Sequence, residues 1–106
     1  MATPVLYMVR ATIPADREEE WNEWYDAVHL PAMRKFPGVL SARRYKAIMG
    51  EERWQYLTCV EFESEAAFRA YVESDYLKDL IRDYDAHYGR VSPRTRSAYR
   101  RVSPDP

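Results

Sequence analysis

The stretch EWNEWYDAVHLPAMRKFPGV, residues 20–39, decides how the chain is to be read. It follows Asp16, Glu18 and Glu19, a side-chain acceptor and negative charges that suit the orphan amides and positive dipole at a helix start. Trp21, Trp24, Tyr25, Val28 and His29 then recur at the i, i+3, i+4, i+7 and i+8 positions, while Asn22, Glu23, Asp26 and Ala27 fall on the other side. The pattern predicts an amphipathic helix with an aromatic stripe turned inward. Pro31 lacks an amide hydrogen and disfavours helical geometry at Leu30, so the helix is expected to stop or kink there, leaving His29 in its last turn.

Working outward, VLYMVRAT at 5–12 reads as a strand closed by Ile13-Pro14. Phe36-Pro37-Gly38 is a breaker, and VLSARRYKAI at 39–48 reads as a second strand ended by Met49-Gly50-Glu51-Glu52. WQYLTCVEFE at 54–63 is a third, joined to the second by a short loop that predicts an antiparallel hairpin. Parity puts Trp54, Tyr56, Thr58, Val60 and Phe62 on one face and Gln55, Leu57, Cys59 and Glu61 on the other. Neither face is cleanly polar, so both are expected to be covered. Ser64 caps a helix over 65–73, Ser74-Asp75 opens another that ends near Gly89, and 96–102 is a last strand.

The order predicts an α+β domain over 1–102, a ferredoxin-like βαββαβ antiparallel sheet with helices on one face, and a flexible tail at 103–106. Helices on one face leave the other uncovered. The expected cover is a second copy of the chain, giving a homodimer through the sheet faces.

Sixteen basic and seventeen acidic residues give a net charge of -1, so no global field recruits nucleic acid or an anionic membrane. The apolar runs are strand-sized, too short to span a bilayer. A lone Cys59 and an N-terminus without a signal-peptide pattern lead to an expected cytoplasmic location. Aromatics make up 14% of the chain with nine tyrosines, more than a core of this size hides easily, so some are expected to line a cavity.

The first strand followed in order by WNEWYDAVHLP, FPGVLSARRY, WQYLTCVEF and SEAAFRAYVESD resembles the dimeric α+β barrel superfamily, in particular its EthD-like branch. The most specific elements are His29-Leu30-Pro31, Pro37-Gly38 and the Tyr71 to Asp75 stretch. The resemblance implies the fold and a choice among isomerases, cyclases and cofactor-free monooxygenases. The spacing of His29, Pro37-Gly38 and Cys59 is also similar to the bacterial 4-methylmuconolactone methylisomerases, whose pocket histidine and cysteine would fall on His29 and Cys59. A tyrosine of that family falls on Ala42 here, and its second pocket histidine has no counterpart.

His29 is the candidate acid or base, because imidazole titrates near neutrality and a helix C-terminus favours its protonated form. The bland alternative is a bond to a carbonyl freed by Pro31. Tyr25 would donate a hydrogen bond to a developing enolate, and Trp21, Trp24 and Trp54 would shape a cavity of a few hundred Å³. Cys59 is a nucleophile only where a cation lowers its pKa. Either Arg43 or its neighbour Arg44 faces the covered side and could hold a substrate carboxylate or make an interface salt bridge. Tyr45 joins the pocket only across a bulge, being opposite in parity to Ala42. His87 is expected at the surface or capping a helix end.

The chain has no Gly-rich phosphate loop, no GxSxG and no paired-cysteine motif, so no cofactor and no metal are expected. The expected function is a small cofactor-independent isomerase or cyclase acting on an aromatic, lactone or polyketide-like molecule through His29. Alternatives are a cofactor-free monooxygenase, a non-catalytic dimeric small-molecule binder, and an interaction protein without a ligand.

Overall fold

Alternate residues of two strands are buried: Val5, Tyr7, Val9 and Ala11 of β1 (Val5–Ala11), and Tyr56, Thr58, Val60 and Phe62 of β3 (Tyr56–Phe62). A period of two on adjacent strands makes one apolar sheet face, and it is this face that the helices cover. The computed structural model describes residues 3–50 and 53–104. The sheet is four-stranded in the order β2-β3-β1-β4, with β2 Val39–Lys46 and β4 Arg94–Arg100, and every pairing is antiparallel. This is the ferredoxin-like α+β fold. Glu51 and Glu52 of the loop between β2 and β3, and Asp105 and Pro106 of the tail, lie outside the described residues.

The first crossover departs from expectation in an instructive way. A 3-10 turn at Ala15–Arg17 precedes α1 (Glu18–Trp24), so Asp16 sits within that turn and does not cap the helix. The helical path does not stop at Leu30. It widens into a π turn over Tyr25–His29 and resumes as α2 (Leu30–Arg34), with the Leu30 amide donating back to the Tyr25 carbonyl. Pro31 thereby falls in the first turn of a new α segment, where a missing amide forfeits nothing. The π turn also realigns the inward face: Trp21, Tyr25, His29 and Met33 are buried at four-residue intervals, and Val28, expected inside, is 49% exposed.

α3 (Glu65–Val72) and α4 (Asp75–Tyr88) complete the helical layer, each with its N-cap serine, Ser64 or Ser74, accepting a bond from a first-turn amide. The molecule is 19 Å along its shortest axis, the thickness of one sheet and one helical layer. The other sheet face carries Leu6, Met8, Leu57 and Cys59, half-buried, and Tyr45 and Tyr99, about half exposed.

Between Val39 and Ser41 a register shift in the β2–β3 pairing inserts Leu40 and leaves Ala42, 1% exposed, on the helical side. Gly38, just ahead of it, has φ 92°, and a Cβ there would stand 2.5 Å from the Cβ of Ala67 in α3. Both backbone conformation and the approach of α3 exclude a side chain at this turn. Gly38→Ala should therefore cost about 1–3 kcal/mol of stability. An unchanged urea midpoint would show that the turn and α3 move apart without penalty.

Candidate functional site

His29 is placed by the π turn and is only 3% exposed. Its ring stacks on Trp24 at 5.1 Å and 21°, meets Tyr25 edge-on at 4.9 Å and lies 5.4 Å from Tyr84. Its Nδ1 is buried with no hydrogen-bond partner among the described residues. Buried polar atoms are almost always bonded, so an orphan nitrogen at a π turn is the feature that marks this position.

The imidazole forms part of the wall of a void between the sheet and α4, of about 10 Å³, room for about one water. Tyr7 and Val9 of β1, Met33 of α2 and Leu77, Leu80 and Ile81 of α4 close most of it. Arg94 and Arg96 of β4 are the charged side chains on its wall. The structure thus holds a closed seam where the sequence led one to expect a ligand-sized cavity: the side chains of α4 fill it.

Electrostatics correct a second expectation. The helical path runs on past His29, which therefore gains little from a C-terminal dipole, and burial, with smaller contributions from Arg94, Arg96 and Arg44, holds its pKa down at about 4. The ring is neutral at neutral pH. Tyr25 is buried beside it, its hydroxyl accepting a bond of 2.7 Å from Thr58 Oγ1, and burial pushes its pKa up to about 12.

Arg44, on the helical side of β2, lies 4.2 Å from the centre of the Tyr25 ring and 4.9 Å from that of Trp21, while donating to Asp26 at 2.7 Å and Asn22 at 2.8 Å. Arg94 donates to Asp85 at 2.7 Å and lies 3.8 Å from the Tyr84 ring centre, its side chain 9% exposed. Stacking on rings lets both guanidiniums sit in a largely apolar layer.

The structure brings together His29, Tyr25 and Trp24, packs Trp21 edge-on behind Tyr25 at 5.4 Å, and sets the remaining candidates elsewhere. Trp21 is fully buried as part of a bonding chain: its Nε1 donates to the Tyr84 hydroxyl at 3.0 Å, which lies 2.5 Å from Ser92 Oγ, which donates to the Thr12 carbonyl at 2.8 Å. Cys59, Arg43 and Tyr45 occupy the opposite sheet face, with Cys59 paired in register with Met8 and Arg43. The shift in β2 falls before Ala42, so it does not turn Tyr45 toward the helices.

Burial raises the Cys59 pKa and Glu61 adds to the rise, outweighing Arg43. Trp54, half-buried, borders an open groove with Arg10, Tyr45 and Leu57 and lies under Arg53 at 4.6 Å. His87 Nδ1 is 2.8 Å from the Asp83 carbonyl on the outer side of Trp24, a helix-surface position of the kind expected. Sequence reasoning passed over Arg94, Arg96 and Thr58. The alternation Arg94-Thr95-Arg96 on a strand was the signal that two of them share a face.

A ferredoxin-like layer holding a neutral, buried histidine against tyrosine, tryptophan and arginine defines a small α+β protein with one enclosed polar centre. The chain belongs to the family described as a domain of unknown function (DUF4286), whose model matches residues 4–99. No protein of curated function matches the sequence.

Among solved structures, one is a DABB family protein with a ferredoxin-like fold from Mesorhizobium loti, 16% identical, covering 95% of this chain and 99% of its own, with a TM-score of 0.72. Another is the heme-degrader MhuD from Mycobacterium tuberculosis, solved with two hemes in its active site, 22% identical over 94% of this chain and 97% of its own, with a TM-score of 0.68. A third is SnoaB, a cofactor-independent oxygenase from Streptomyces nogalater, 16% identical over 99% of both chains, with a TM-score of 0.66. At these identities the likeness is one of fold.

The histidine makes stability depend on pH. Its pKa is about 4 folded against an ordinary 6.5, so acid protonates the unfolded chain first. The contribution is complete above pH 6.5 and is lost as pH falls through 4, at most about 3 kcal/mol. His29→Gln should remove that part of the slope, seen as wild-type minus variant unfolding free energy between pH 7 and pH 4. Parallel slopes would contradict a histidine buried in its neutral form.

Proposed function

We propose that the protein is a cofactor-independent monooxygenase acting on a small cyclic carbon acid, with His29 as the base. The observation that carries this reading is the orphaned Nδ1 of His29, buried on the wall of the helix–sheet seam. A neutral imidazole with a free lone pair accepts a proton, and the apolar wall keeps water from the carbanion that results. Dioxygen then takes the electrons: an activated methylene plus O₂ gives a carbonyl plus water. The fold likeness to a cofactor-independent oxygenase supports this outcome over isomerisation or cyclisation, which begin with the same proton abstraction. Tyr25 and Trp24 would flank the substrate ring.

A pocket for a cyclic ligand occupies roughly 300 Å³ or more. The seam holds far less, so Leu77, Leu80 and Ile81 must swing away with α4 when a ligand enters. Oxygen uptake on a carbon acid such as 1,8-dihydroxyanthrone tests the role of His29. His29→Gln, folded by circular dichroism, should slow uptake about 100-fold or more. Uptake at the wild-type rate would remove His29 from the chemistry. Deuterium exchange into the substrate under argon, without uptake in air, would move the reading to an isomerase.

The active form proposed is a homodimer with the open sheet faces packed together. Leu57 of the central strand β3 stands opposite Arg10 of β1 and Tyr45 of the edge strand β2 on that face. Leu57→Asp should convert a dimer to a monomer in sedimentation velocity, because desolvating a carboxylate between two sheets costs more than the facing Arg10, already bonded to Ser97, returns. A dimer that survives the substitution would place the interface elsewhere.

A further inference from the structure

We propose that Arg94 and Arg96 form an anion clamp at the β4 edge of the seam, so that the substrate is an organic monocarboxylate held with its acidic carbon toward His29. This rests on the reading of His29 as the base and adds the class of molecule that the base serves. Both arginines lie on the helical side of β4, in register with Ala11 and Val9. Two residues apart on one strand, they project into the same seam. Among the described residues, no carboxylate shares the wall with them.

Counting charges at that wall gives an imbalance of one. Asp85 answers Arg94 at 2.7 Å. Arg96 stands beside the phenol of Tyr7, which burial keeps neutral by raising its pKa, a rise that the guanidinium offsets only in part. Burial, and after it the proximity of Arg96, lowers the pKa of Arg94, while Arg96 itself stays open to solvent at the edge of the seam. A single unanswered positive charge on the solvent-facing edge of an apolar seam favours a monoanion. A planar guanidinium fork matches a carboxylate. The remaining wall, Val9, Met33, Leu77, Leu80 and Ile81, is apolar and suits a hydrocarbon body.

The clamp has a consequence for the base. The two arginines help to hold the His29 proton affinity down, so the empty site contains a weak base. Burial is the larger cause and remains, but a carboxylate seated between the arginines offsets their part of the field, so the imidazole gains basicity when such a ligand is bound. A neutral analogue of the same shape would leave it weak.

The test uses 2-naphthoate and its neutral isostere 2-naphthamide as probes of the full chain. Calorimetry should show the acid binding about tenfold or more tighter than the amide. Arg96→Gln, which leaves the Arg94–Asp85 pair in place, should bring the two within about twofold of each other, and Arg96→Lys should restore part of the preference. In a His87→Gln background one imidazole remains to be followed by NMR. Naphthoate should raise its titration midpoint by about one pH unit or more, and naphthamide should not.

Equal affinity for acid and amide, no binding of either, or a preference that persists in Arg96→Gln would overturn the clamp. Arginine-dependent naphthoate binding in a protein that takes up no oxygen with any carbon acid would keep the clamp and remove the oxygenase. Undiminished turnover of a carboxylate-bearing carbon acid by Arg96→Gln would do the reverse.

Discussion

Four-residue spacing along the first helical crossover governs where the polar centre lies. In a regular α-helix each step of four residues overshoots the axis by about 40°. Trp21, Tyr25, His29 and Met33 would then wind off the sheet within two turns. The π turn over Tyr25–His29 absorbs that rotation. The column stays in line, and each member finds a different partner: Trp21 the Tyr84 hydroxyl, Tyr25 the Thr58 hydroxyl, and His29 a seam in place of an acceptor. An unusual helical geometry persists where the surrounding packing holds it, and here it aims an imidazole.

Around that column the interior is cationic and aromatic together. Arg44 and Arg94 lie close over tyrosine rings, each with a single carboxylate partner that is itself largely exposed. Ring faces compensate part of the desolvation that would otherwise expel the charges. The same charges act on His29 at a distance and favour its neutral form, so aromatic packing and imidazole ionisation are one arrangement seen from two sides. Arg44 bonds Asp26 and Asn22 through its terminal nitrogens, with its Nε buried and unpartnered among the described residues, and ties the first crossover to β2, whereas Arg96 is open to solvent beside the Tyr7 phenol.

The sheet separates two chemistries by parity alone. One face carries the histidine, the phenols and the stacked arginines; the other carries Cys59, Arg43 and Tyr45 among half-buried aliphatic residues. A thiol with a raised pKa on the second face has no route through a packed sheet to an imidazole on the first. The fold likeness at 16% to 22% identity fits this division. What such distant chains share is the fold. The residues at the seam are free to differ, and with them the chemistry.

By itself the sequence determined the architecture. Apolar alternation at Val5–Ala11 and Tyr56–Phe62, the serine caps at Ser64 and Ser74, and the glycine turn at Gly38 are local signals with local causes, and they place every strand and the last two helices to within a few residues. The aromatic stripe also announced that Trp21, Tyr25 and His29 face inward. Tertiary structure alone decided the rest. Whether Pro31 ends a helix depends on the hydrogen-bond register five residues back, which no single residue states. Which of Arg43 and Arg44 turns inward depends on a shift upstream in β2. The protonation state of His29 depends first on its burial under α4 and then on arginines far along the chain that only sheet pairing brings near, because desolvation and electrostatic fields follow position in space and take no account of distance along the chain.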